Sequence, residues 1–250
     1  MRPEEAAELL RAARAGRRTL VRLTDTHPDL DEQWGYAAQA VDRATRLASG
    51  ERVVGAKLGL TSAPKQQTMG VHQPIVGFLT DAMTDVDLST LAQPRVEPEV
   101  AYRLGTDLSQ ELTLEQVGDV VDAVAPALEV LDSRWTDYRF RLADVLADNT
   151  SAAGFVLGEW VPLRDVPDLR EAEARWLVDG EPVATTTPAA ILGDPLLAIV
   201  HLSRHLAERG ESLGAGSVVL AGAMTDAVPL RGHRRFEVEV AGLGTAALDA

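Results

Sequence analysis

The sequence changes its pattern at Gly50, and this change constrains the fold more than any other feature. Before it, apolar residues at intervals of three and four predict one helix beginning at Pro3 and a second from Asp31 to about Ala48. After it, short apolar runs are interrupted by Gly, Pro, Asp and Asn, a pattern typical of strands and loops. We therefore expect an α+β fold, with a helical segment at 1–50 and a β-rich domain at 51–250 that together form one compact unit.

The β-rich part contains several predicted strands and two predicted helices. The strands are the apolar runs Arg52–Leu60, Val96–Leu104, Phe155–Leu157, Arg175–Val178, Ser217–Ala221 and Phe236–Val240. One helix is expected over Leu114–Val121 after a Thr113 cap, and the other over Pro195–Arg209, where Gly210 ends it. Because the helices interrupt the strands without a regular alternation, the pattern favours α+β over a β-α-β winding.

The charge and the lack of cysteine exclude several classes of function. The formal net charge is −14, and so acidic a surface repels nucleic acid and anionic membranes. An anionic substrate must then be bound by local positive charge, from a metal, a lysine or backbone amides. Without cysteine, the chain cannot form disulfides, thiolate nucleophiles or iron–sulfur clusters. Residues 1–16 do not resemble a signal peptide, and no apolar run approaches the roughly 20 residues of a membrane span, so we expect a cytoplasmic protein.

Two glutamates, Glu97 and Glu99, are separated by one residue in a predicted strand. Residues two apart in a strand project to the same face. Two carboxylates so close repel each other, and a divalent cation is the simplest way to keep both ionised. A solvated strand edge carrying two surface acids is the alternative, which this pair alone leaves open.

A third glutamate, Glu129, lies within the apolar run Ala127–Leu131, which predicts a buried strand carrying one acid. A buried carboxylate is costly unless it is paired or bound to a metal. Arg134 is a possible ion-pair partner, and the spacing does not decide between the two. Three carboxylates on two strands would suit a hard cation that prefers oxygen ligands.

Lys57 is also set in an apolar, glycine-flanked run. Such a lysine either extends its ammonium to the surface or lies in a cleft with a perturbed pKa, where it can bind a carboxylate or transfer protons. The polar cluster Asp148–Ser151 is either a helix cap or a loop lining a pocket. No G-x-S-x-G, P-loop or dinucleotide fingerprint occurs, so the sequence does not support acyl transfer through a serine nucleophile.

Four segments in one order resemble a known family. They are Gly55–Ser62 (GAKLGLTS), Pro94–Glu99 (PRVEPE), Pro126–Arg134 (PALEVLDSR) and Ala147–Ser151 (ADNTS), followed by Leu192–Pro195 and Val240–Gly244. In this order they are similar to the 2-keto-4-pentenoate hydratase/4-oxalocrotonate decarboxylase family of the fumarylacetoacetate hydrolase superfamily. The resemblance covers nearly the whole chain and implies a mixed β-roll fold.

The resemblance also implies a site. It places Mg²⁺ or Mn²⁺ on Glu97, Glu99 and Glu129, with a 2-keto acid bound to the ion through its C1 carboxylate and C2 oxygen. It implies catalytic roles for Lys57, Ser151 and Arg134, the arginine helping to bind a second carboxylate. The implied substrate pocket comprises Leu58, Gly59, Leu60, Ile75, Phe78 and Asn149. It further implies a homo-oligomer, a possible complex with a partner hydratase, and a role in meta-cleavage breakdown of aromatic compounds.

One position is expected to separate the two reactions of the family. After the lysine motif, the pattern typical of the hydratases is Q-P-D-[FY]-G, and the pattern typical of the decarboxylases is T-P-I-Y-G-F-L. This chain has QPIVGFL, with Ile75 at the position where the hydratase pattern has aspartate. Isoleucine cannot transfer a proton. We therefore expect decarboxylation of a 2-oxo-3-enedioate, such as 2-oxo-3-hexenedioate, to a 2-hydroxy-2,4-dienoate and CO₂. The alternatives are hydration of a 2-hydroxypenta-2,4-dienoate and a non-catalytic role in binding a partner enzyme.

Two departures from the family pattern bear on the substrate. The chain has Thr185–Ala190 where the family usually has a glycine–alanine run, and Asp194 replaces a histidine. If this run borders the substrate, the native substrate differs from the familiar one. The length of the substrate chain and the number of subunits are open at this point.

Overall fold

The computed structural model describes residues 1–85, 87–166 and 168–250, and it combines two β-sheets with helices. Its α-helices are α1 (Pro3–Ala15), α2 (Glu32–Ala48), α3 (Ala63–Met69), α4 (Val117–Val120), α5 (Leu142–Ala147) and α6 (Leu197–Arg209). Its strands are β1 (Val53–Gly59), β2 (Ile75–Thr80), β3 (Arg95–Leu104), β4 (Val121–Leu131), β5 (Ala152–Leu157), β6 (Val161–Pro162), β7 (Ala174–Val178), β8 (Glu181–Thr186), β9 (Val218–Leu220), β10 (Val228–Pro229), β11 (Arg235–Val240) and β12 (Gly244–Asp249). The α+β prediction is confirmed.

The larger sheet carries the candidate site. Its strand order is β2-β1-β9-β3-β4-β5, with β10 added to β3 and β6 added to β4. The pair β1–β9 is parallel and the other described pairs are antiparallel, so the sheet is mixed. In this order β9 alone separates β1, which contains Lys57, from β3, which contains Glu97 and Glu99.

The smaller sheet covers one face of the larger one. Its order is β12-β11-β7-β8, all antiparallel. Trp176 and Phe236 from this sheet are stacked with ring centroids 5.9 Å apart, and they share the main core with Tyr102 and Leu128 of the larger sheet. Val96, Val100 and Tyr102 of β3 face this core. Because side chains alternate along a strand, Glu97 and Glu99 lie on the opposite face.

The N-terminal helices pack on the segment that follows β4. The carboxylate of Asp144, in α5, accepts hydrogen bonds from the amides of Leu23 (2.9 Å) and Thr24 (3.2 Å) and from the Thr24 hydroxyl (2.6 Å). In α2, the Gln39 side chain donates to the carbonyls of Val76 (3.1 Å) and Leu146 (3.2 Å). The helical segment therefore supports the two chain segments that form part of the cavity described below. The division of the chain at residue 50 stays a prediction.

Most predicted elements are present, and their caps explain their limits. The Asp31 carboxylate accepts a hydrogen bond from the Trp34 amide (2.8 Å) at the start of α2, and Gly210 (φ 64°) ends α6 in the left-handed conformation. The predicted helix Leu114–Val121 is wrong in detail. It is a 3₁₀ turn, Leu114–Gln116, followed by one short turn of α-helix, and Val121 already begins β4. No helix in the described part of the chain is long and apolar enough to cross a membrane.

Candidate active site

Three carboxylates converge between β3 and β4. Glu97 is paired directly with Glu129 in the antiparallel ladder, and Glu99 follows two residues later on the same face of β3. One oxygen from each of the three lies within 4.8 Å of the others. All three side chains are buried, with Glu99 and Glu129 having no exposed surface. The solvated strand edge considered from the sequence is therefore wrong.

Burial and mutual repulsion perturb this cluster. Burial, followed by the charges of Glu129 and Glu97, raises the pKa of Glu99 well above its ordinary value. Burial likewise raises the pKa of Glu129 to about 7, although the nearby ammonium of Lys57 opposes this shift. The carboxylates thus favour protonation unless positive charge is added to the cluster.

Lys57 brings a positive charge next to the carboxylate cluster. Its Nζ lies 2.9 Å from Glu129 Oε2, at an angle that leaves this oxygen without an aligned hydrogen bond. The ammonium also donates to the Thr150 carbonyl (3.4 Å). Burial acts to lower the pKa of Lys57, but Glu129, Glu97 and Glu99 outweigh it and raise that pKa, so the lysine is protonated. The side chain is buried in a cleft, and the alternative that it extends to the surface is wrong.

Two glycines allow this packing. Gly77 pairs with Lys57 across β1 and β2, and a Cβ there would lie 2.4 Å from the Thr150 hydroxyl. Gly222 has φ +116°, and a Cβ there would lie 2.2 Å from the Thr61 hydroxyl. The Gly222 amide donates to Glu99 Oε2 (2.8 Å). Any side chain at either position would separate elements that hold Lys57 or Glu99 in place.

A cavity of about 570 Å³ opens onto the cluster. Its wall includes Lys57 and Glu97 together with the predicted pocket residues Gly59, Leu60 and Ile75 and the predicted catalytic residue Ser151. Its remaining lining residues are Pro64, Lys65, Thr68, Met69, Arg95, Leu131, Tyr138, Phe140, Val145, Thr150, Asp226 and Ala227. The motif around Lys57, the strand of Ile75 and the turn containing Ser151 are therefore brought together.

The turn at one side of the cavity has a strained backbone. Asn149, Thr150 and Ser151 follow one another with φ of 47°, 54° and 62°. Three consecutive non-glycine residues in the left-handed region are costly and occur where function requires them. The Ser151 hydroxyl is buried and has no hydrogen-bond partner in the described part of the chain. Because Ser151 lines the cavity, this hydroxyl is available to a bound ligand.

Four predicted site residues lie elsewhere, and these placements correct the prediction. Arg134 forms a buried ion pair with Asp132 and donates to its carbonyl (2.6 Å), so it neither contacts Glu129 nor lines the cavity. Leu58 points into the main core because it alternates with Lys57 along β1. Phe78 packs in a second apolar cluster. Asn149 uses its side-chain amide to bridge the Phe78 backbone, with both hydrogen bonds at 2.9 Å.

The two unusual segments also lie outside the cavity wall. Thr185–Ala190 spans the end of β8 and a 3₁₀ turn, and Asp194 accepts a hydrogen bond from the Leu196 amide (3.0 Å) before α6. Neither borders the cavity. Beyond this turn, the Leu192 amide donates to the Thr61 carbonyl of the lysine motif (2.9 Å).

Sequence reasoning missed several cavity residues. Arg95 lies two residues before Glu97, so the strand period places it on the same face, and this signal was available. Tyr138 and Asp226 come from loops whose approach to β3 no local pattern indicates. A larger groove of about 1110 Å³ lies between α2 and the end of α6. It contains none of the three glutamates, so we assign the chemistry to the smaller cavity.

The donor set fits a hard divalent cation. Glu99 Oε1 and both oxygens of Glu129 are buried without a hydrogen-bond partner in the described part of the chain. Buried polar atoms are rarely left unsatisfied. These free oxygens belong to a cluster of three carboxylates of which Glu97 lines the cavity. Such a cluster is the ligand type that Mg²⁺ or Mn²⁺ accepts when water or substrate completes the coordination.

Comparison with known proteins identifies the family. The Fumarylacetoacetate (FAA) hydrolase C-terminal family matches residues 52–249. The chain is 45% identical over 208 residues to a 4-oxalocrotonate decarboxylase from a Pseudomonas species, covering 81% of this chain and 80% of that protein. It is 39% identical over 248 residues to a 2-keto-4-pentenoate hydratase from Paraburkholderia xenovorans strain LB400, covering 97% and 92%.

A solved structure agrees with these relatives. The 4-oxalocrotonate decarboxylase from Pseudomonas putida G7, complexed with magnesium and adipate, superimposes with a TM-score of 0.92 at 33% identity, covering 98% of this chain and 95% of that one. A second structure of that enzyme contains calcium and acetate. The predicted fold type is confirmed. The chain therefore belongs to the fumarylacetoacetate hydrolase family, and within it to the group of enzymes that contains 4-oxalocrotonate decarboxylases and 2-keto-4-pentenoate hydratases.

Proposed function

We propose that this chain is a divalent-metal-dependent lyase that converts a 2-oxo-3-enedioate, such as 2-oxo-3-hexenedioate, into a 2-hydroxy-2,4-dienoate and CO₂. The observation that carries the proposal is the convergence of three buried carboxylates and a buried ammonium beside one cavity, whose wall includes Glu97 and Lys57. The similarity to 4-oxalocrotonate decarboxylases supports it.

Glu97, Glu99 and Glu129 would hold Mg²⁺ or Mn²⁺. When bound, such an ion supplies Lewis-acid stabilisation of negative charge on an oxygen of the substrate. A neutral hydrogen-bond donor beside the cavity is the Ser151 hydroxyl, which is buried and has no hydrogen-bond partner in the described part of the chain. We assign it the binding of the substrate's keto-acid end.

The reaction transfers an electron pair along a conjugated chain. The bond from C5 to the C6 carboxylate breaks and releases CO₂, its electrons form C4=C5, the C3=C4 pair moves to C2=C3, and the negative charge arrives on the C2 oxygen. The Lys57 ammonium is buried 2.9 Å from Glu129 Oε2 and lines the cavity. We assign to this ammonium the orientation of the substrate and the delivery of a proton to the C2 oxygen.

The apolar part of the cavity favours decarboxylation. Ile75, Leu131, Phe140 and Val145 contribute hydrocarbon surface to the wall. A charged carboxylate loses hydration in such surroundings, whereas neutral CO₂ does not, so the environment favours the product side of bond cleavage. Gly59 leaves room for the Ile75 side chain, because a Cβ at this position would lie only 3.2 Å from it.

Hydration is the second candidate, and one residue favours it. Asp226 lines the cavity with an exposed carboxylate. This carboxylate could take the role of the aspartate that the hydratase pattern has where this chain has Ile75. The hydratase relatives are consistent with this activity. A non-catalytic binding role is disfavoured, because the full set of carboxylates and the lysine is brought together. Homo-oligomer formation, a cytoplasmic location, a role in aromatic catabolism and a complex with a partner hydratase stay predictions.

Turnover of a conjugated keto acid tests the proposal. The protein is incubated with 2-oxo-3-hexenedioate in Mg²⁺ and, in parallel, in a chelator. Loss of the substrate's ultraviolet absorbance together with released CO₂, both requiring the metal, is the expected result. Absorbance loss without CO₂ favours hydration. Absence of turnover with 2-oxo-3-hexenedioate and with 2-hydroxypenta-2,4-dienoate would overturn both enzymatic assignments.

A further inference from the structure

Arg95 is a half-buried cation on the cavity wall that the proposed reaction has not yet used. It begins β3, two residues before Glu97, and pairs with Leu131 where Glu97 pairs with Glu129. The side chains of Arg95, Glu97 and Glu99 therefore follow one another along the same face of the strand. Two strand residues span about 7 Å, so positive charge lies one short step along the cavity from the carboxylate cluster.

The other two cations of the cavity have acidic partners. Lys57 Nζ is 2.9 Å from Glu129, and Lys65 Nζ is 3.9 Å from Asp226. The Arg95 guanidinium makes no ion pair and no hydrogen bond with any residue at 1–85, 87–166 or 168–250. In a chain with 38 acidic and 24 basic residues, an arginine left without a carboxylate at a cavity is suited to bind one from a ligand.

The guanidinium is held in place by an aromatic ring. Its central carbon lies 4.3 Å from the centroid of Tyr138, which is a cation–π distance. Tyr138 in turn donates its hydroxyl to the Gln93 carbonyl (3.2 Å), and the Gln93 side chain donates to the Trp135 carbonyl (2.8 Å). This contact uses no N–H donor, and the guanidinium makes no hydrogen bond in the described part of the chain, so its donors remain for bidentate binding of a carboxylate.

We propose that Arg95 binds the second carboxylate of a dicarboxylic substrate, with Tyr138 as the residue that positions it. This inference rests on the proposed function, because it assumes that the keto-acid end of the substrate lies at the glutamate cluster. It replaces Arg134, whose guanidinium is paired with Asp132 away from the cavity. It also makes the cavity selective for dicarboxylates over monocarboxylates of the same length.

The chemistry of the step limits what Arg95 contributes. The bound carboxylate loses its charge when it departs as CO₂, so an arginine contact made in the ground state weakens towards the transition state. Such a contact improves binding and does not accelerate bond cleavage. For a dicarboxylic substrate that the enzyme decarboxylates, Arg95→Gln should raise KM, while kcat stays within about threefold of wild type or rises.

Equilibrium binding gives the sharper test, because it does not depend on turnover. The probes are 2-oxoadipate and 2-oxohexanoate, which share a 2-keto-acid end and differ in having a carboxylate or a methyl group at C6. Both are titrated calorimetrically into the Mg²⁺-loaded protein. Wild type should prefer 2-oxoadipate by about 10- to 100-fold, the scale of a charge-assisted pair of hydrogen bonds. Arg95→Gln should lose most of this preference while its affinity for 2-oxohexanoate changes by less than about threefold.

Matched variants separate this role from general effects. Lys65→Gln removes one positive charge from the same cavity and should keep most of the preference, because Lys65 is partly exposed and paired with Asp226. Tyr138→Phe keeps the ring and should retain the preference, whereas Tyr138→Leu should reduce it. Arg95→Lys, which keeps the charge without the planar fork, should restore part of it.

The outcomes distinguish this inference from the proposed function. Mg²⁺-dependent binding of 2-oxohexanoate with an unchanged preference in Arg95→Gln overturns the role of Arg95 and leaves the metal site intact. Equal weakening of both keto acids in Arg95→Gln also overturns it, since that is the effect of a structural residue. If neither keto acid binds wild type in the presence of Mg²⁺, the inference and the keto-acid site both fail.

Discussion

Glu97 and Glu129 face each other directly across the β3–β4 ladder, with the ammonium of Lys57 2.9 Å from Glu129. Opposed like charges destabilise a strand pair, and burial increases the cost. A pairing of this kind is retained where a cation occupies the space between the carboxylates. The lysine supplies one positive charge for three carboxylates, which leaves the requirement for a divalent ion.

Removal of one ligand charge should weaken metal binding while the fold survives. Glu97→Gln and Glu129→Gln preserve side-chain size, and each should reduce Mg²⁺ affinity by more than the roughly 10- to 100-fold that loss of a supporting outer-shell group causes. Calorimetric titration measures this. Glu181→Gln, at an exposed position in β8, is the matched control and should bind Mg²⁺ as wild type does. Unchanged affinity in both site variants would refute the three-carboxylate site.

Loss of the lysine should separate turnover from metal binding. Lys57→Met keeps an unbranched side chain of similar length, and it should lower kcat by about 10²-fold or more, the usual scale for loss of a positioned acid or base. Mg²⁺ affinity should remain near that of wild type. Without metal, the variant should have a lower melting temperature, because Glu129 loses its counter-charge, and Mg²⁺ should restore it. If Mg²⁺-saturated Lys57→Met loses activity only in proportion to folded protein, the lysine has a structural role.

The raised carboxylate pKa values predict that metal affinity increases with pH. In the metal-free protein burial raises the pKa of Glu129 to about 7 and raises that of Glu99 well above its ordinary value. Both must lose their protons to bind a cation, so Mg²⁺ affinity should rise as pH increases from about 5.5 to 8, and binding should release protons. Calorimetry in buffers of different ionisation enthalpy counts those protons. Affinity that does not change over this interval would contradict the assignment.

The same shifts fix the sign of the stability change. Glu129 binds a proton more tightly in the folded metal-free protein than in the unfolded chain between the ordinary glutamate value of 4.5 and about 7, so its contribution to the free energy of unfolding falls as pH rises through this window. Mg²⁺ should oppose this decrease in the free energy of unfolding. The stabilisation that Mg²⁺ gives should therefore be larger near pH 7 than near pH 4.5.

Ile75 should control which product forms. It is 4% exposed, and its side chain lines the cavity. Ile75→Asp places a charge near the departing carboxylate, which should depress decarboxylation and allow slow hydration. Ile75→Asn is similarly polar without the charge, and Ile75→Val keeps the wall apolar and should retain decarboxylation. Product ratios by NMR check this, and equal effects of Asp and Val would show that only packing matters at this position.

The parts of the site that follow strand periodicity could be predicted from the sequence. Glu97 and Glu99 share a face because residues alternate along β3, and Glu129 belongs to an apolar run that forms β4. The same rule points to Arg95. By contrast, Leu58 was predicted in the pocket on the strength of the motif, although its alternation with Lys57 sends it into the core.

The parts built by loops could not be predicted. Arg134 and Asp132 lie beyond the end of β4, and their mutual ion pair depends on how the chain turns there. Asn149 supports β2 through the Phe78 backbone, a contact between residues 71 positions apart. Because such contacts are set by tertiary packing, neither propensity nor spacing indicates them. The helix expected over Leu114–Val121 was shortened for the same reason, since Val121 pairs with Leu104 in the sheet.

Product analysis of the wild-type reaction tests the central assignment most directly. The protein is incubated with Mg²⁺ and 2-oxo-3-hexenedioate in deuterated water, and the products are followed by NMR while CO₂ is measured in the same sample. We predict 2-hydroxy-2,4-pentadienoate and an equal amount of CO₂, both dependent on Mg²⁺. A 4-hydroxy-2-keto acid as the main product, with the C6 carboxylate retained, would contradict decarboxylation and assign the chain to hydration.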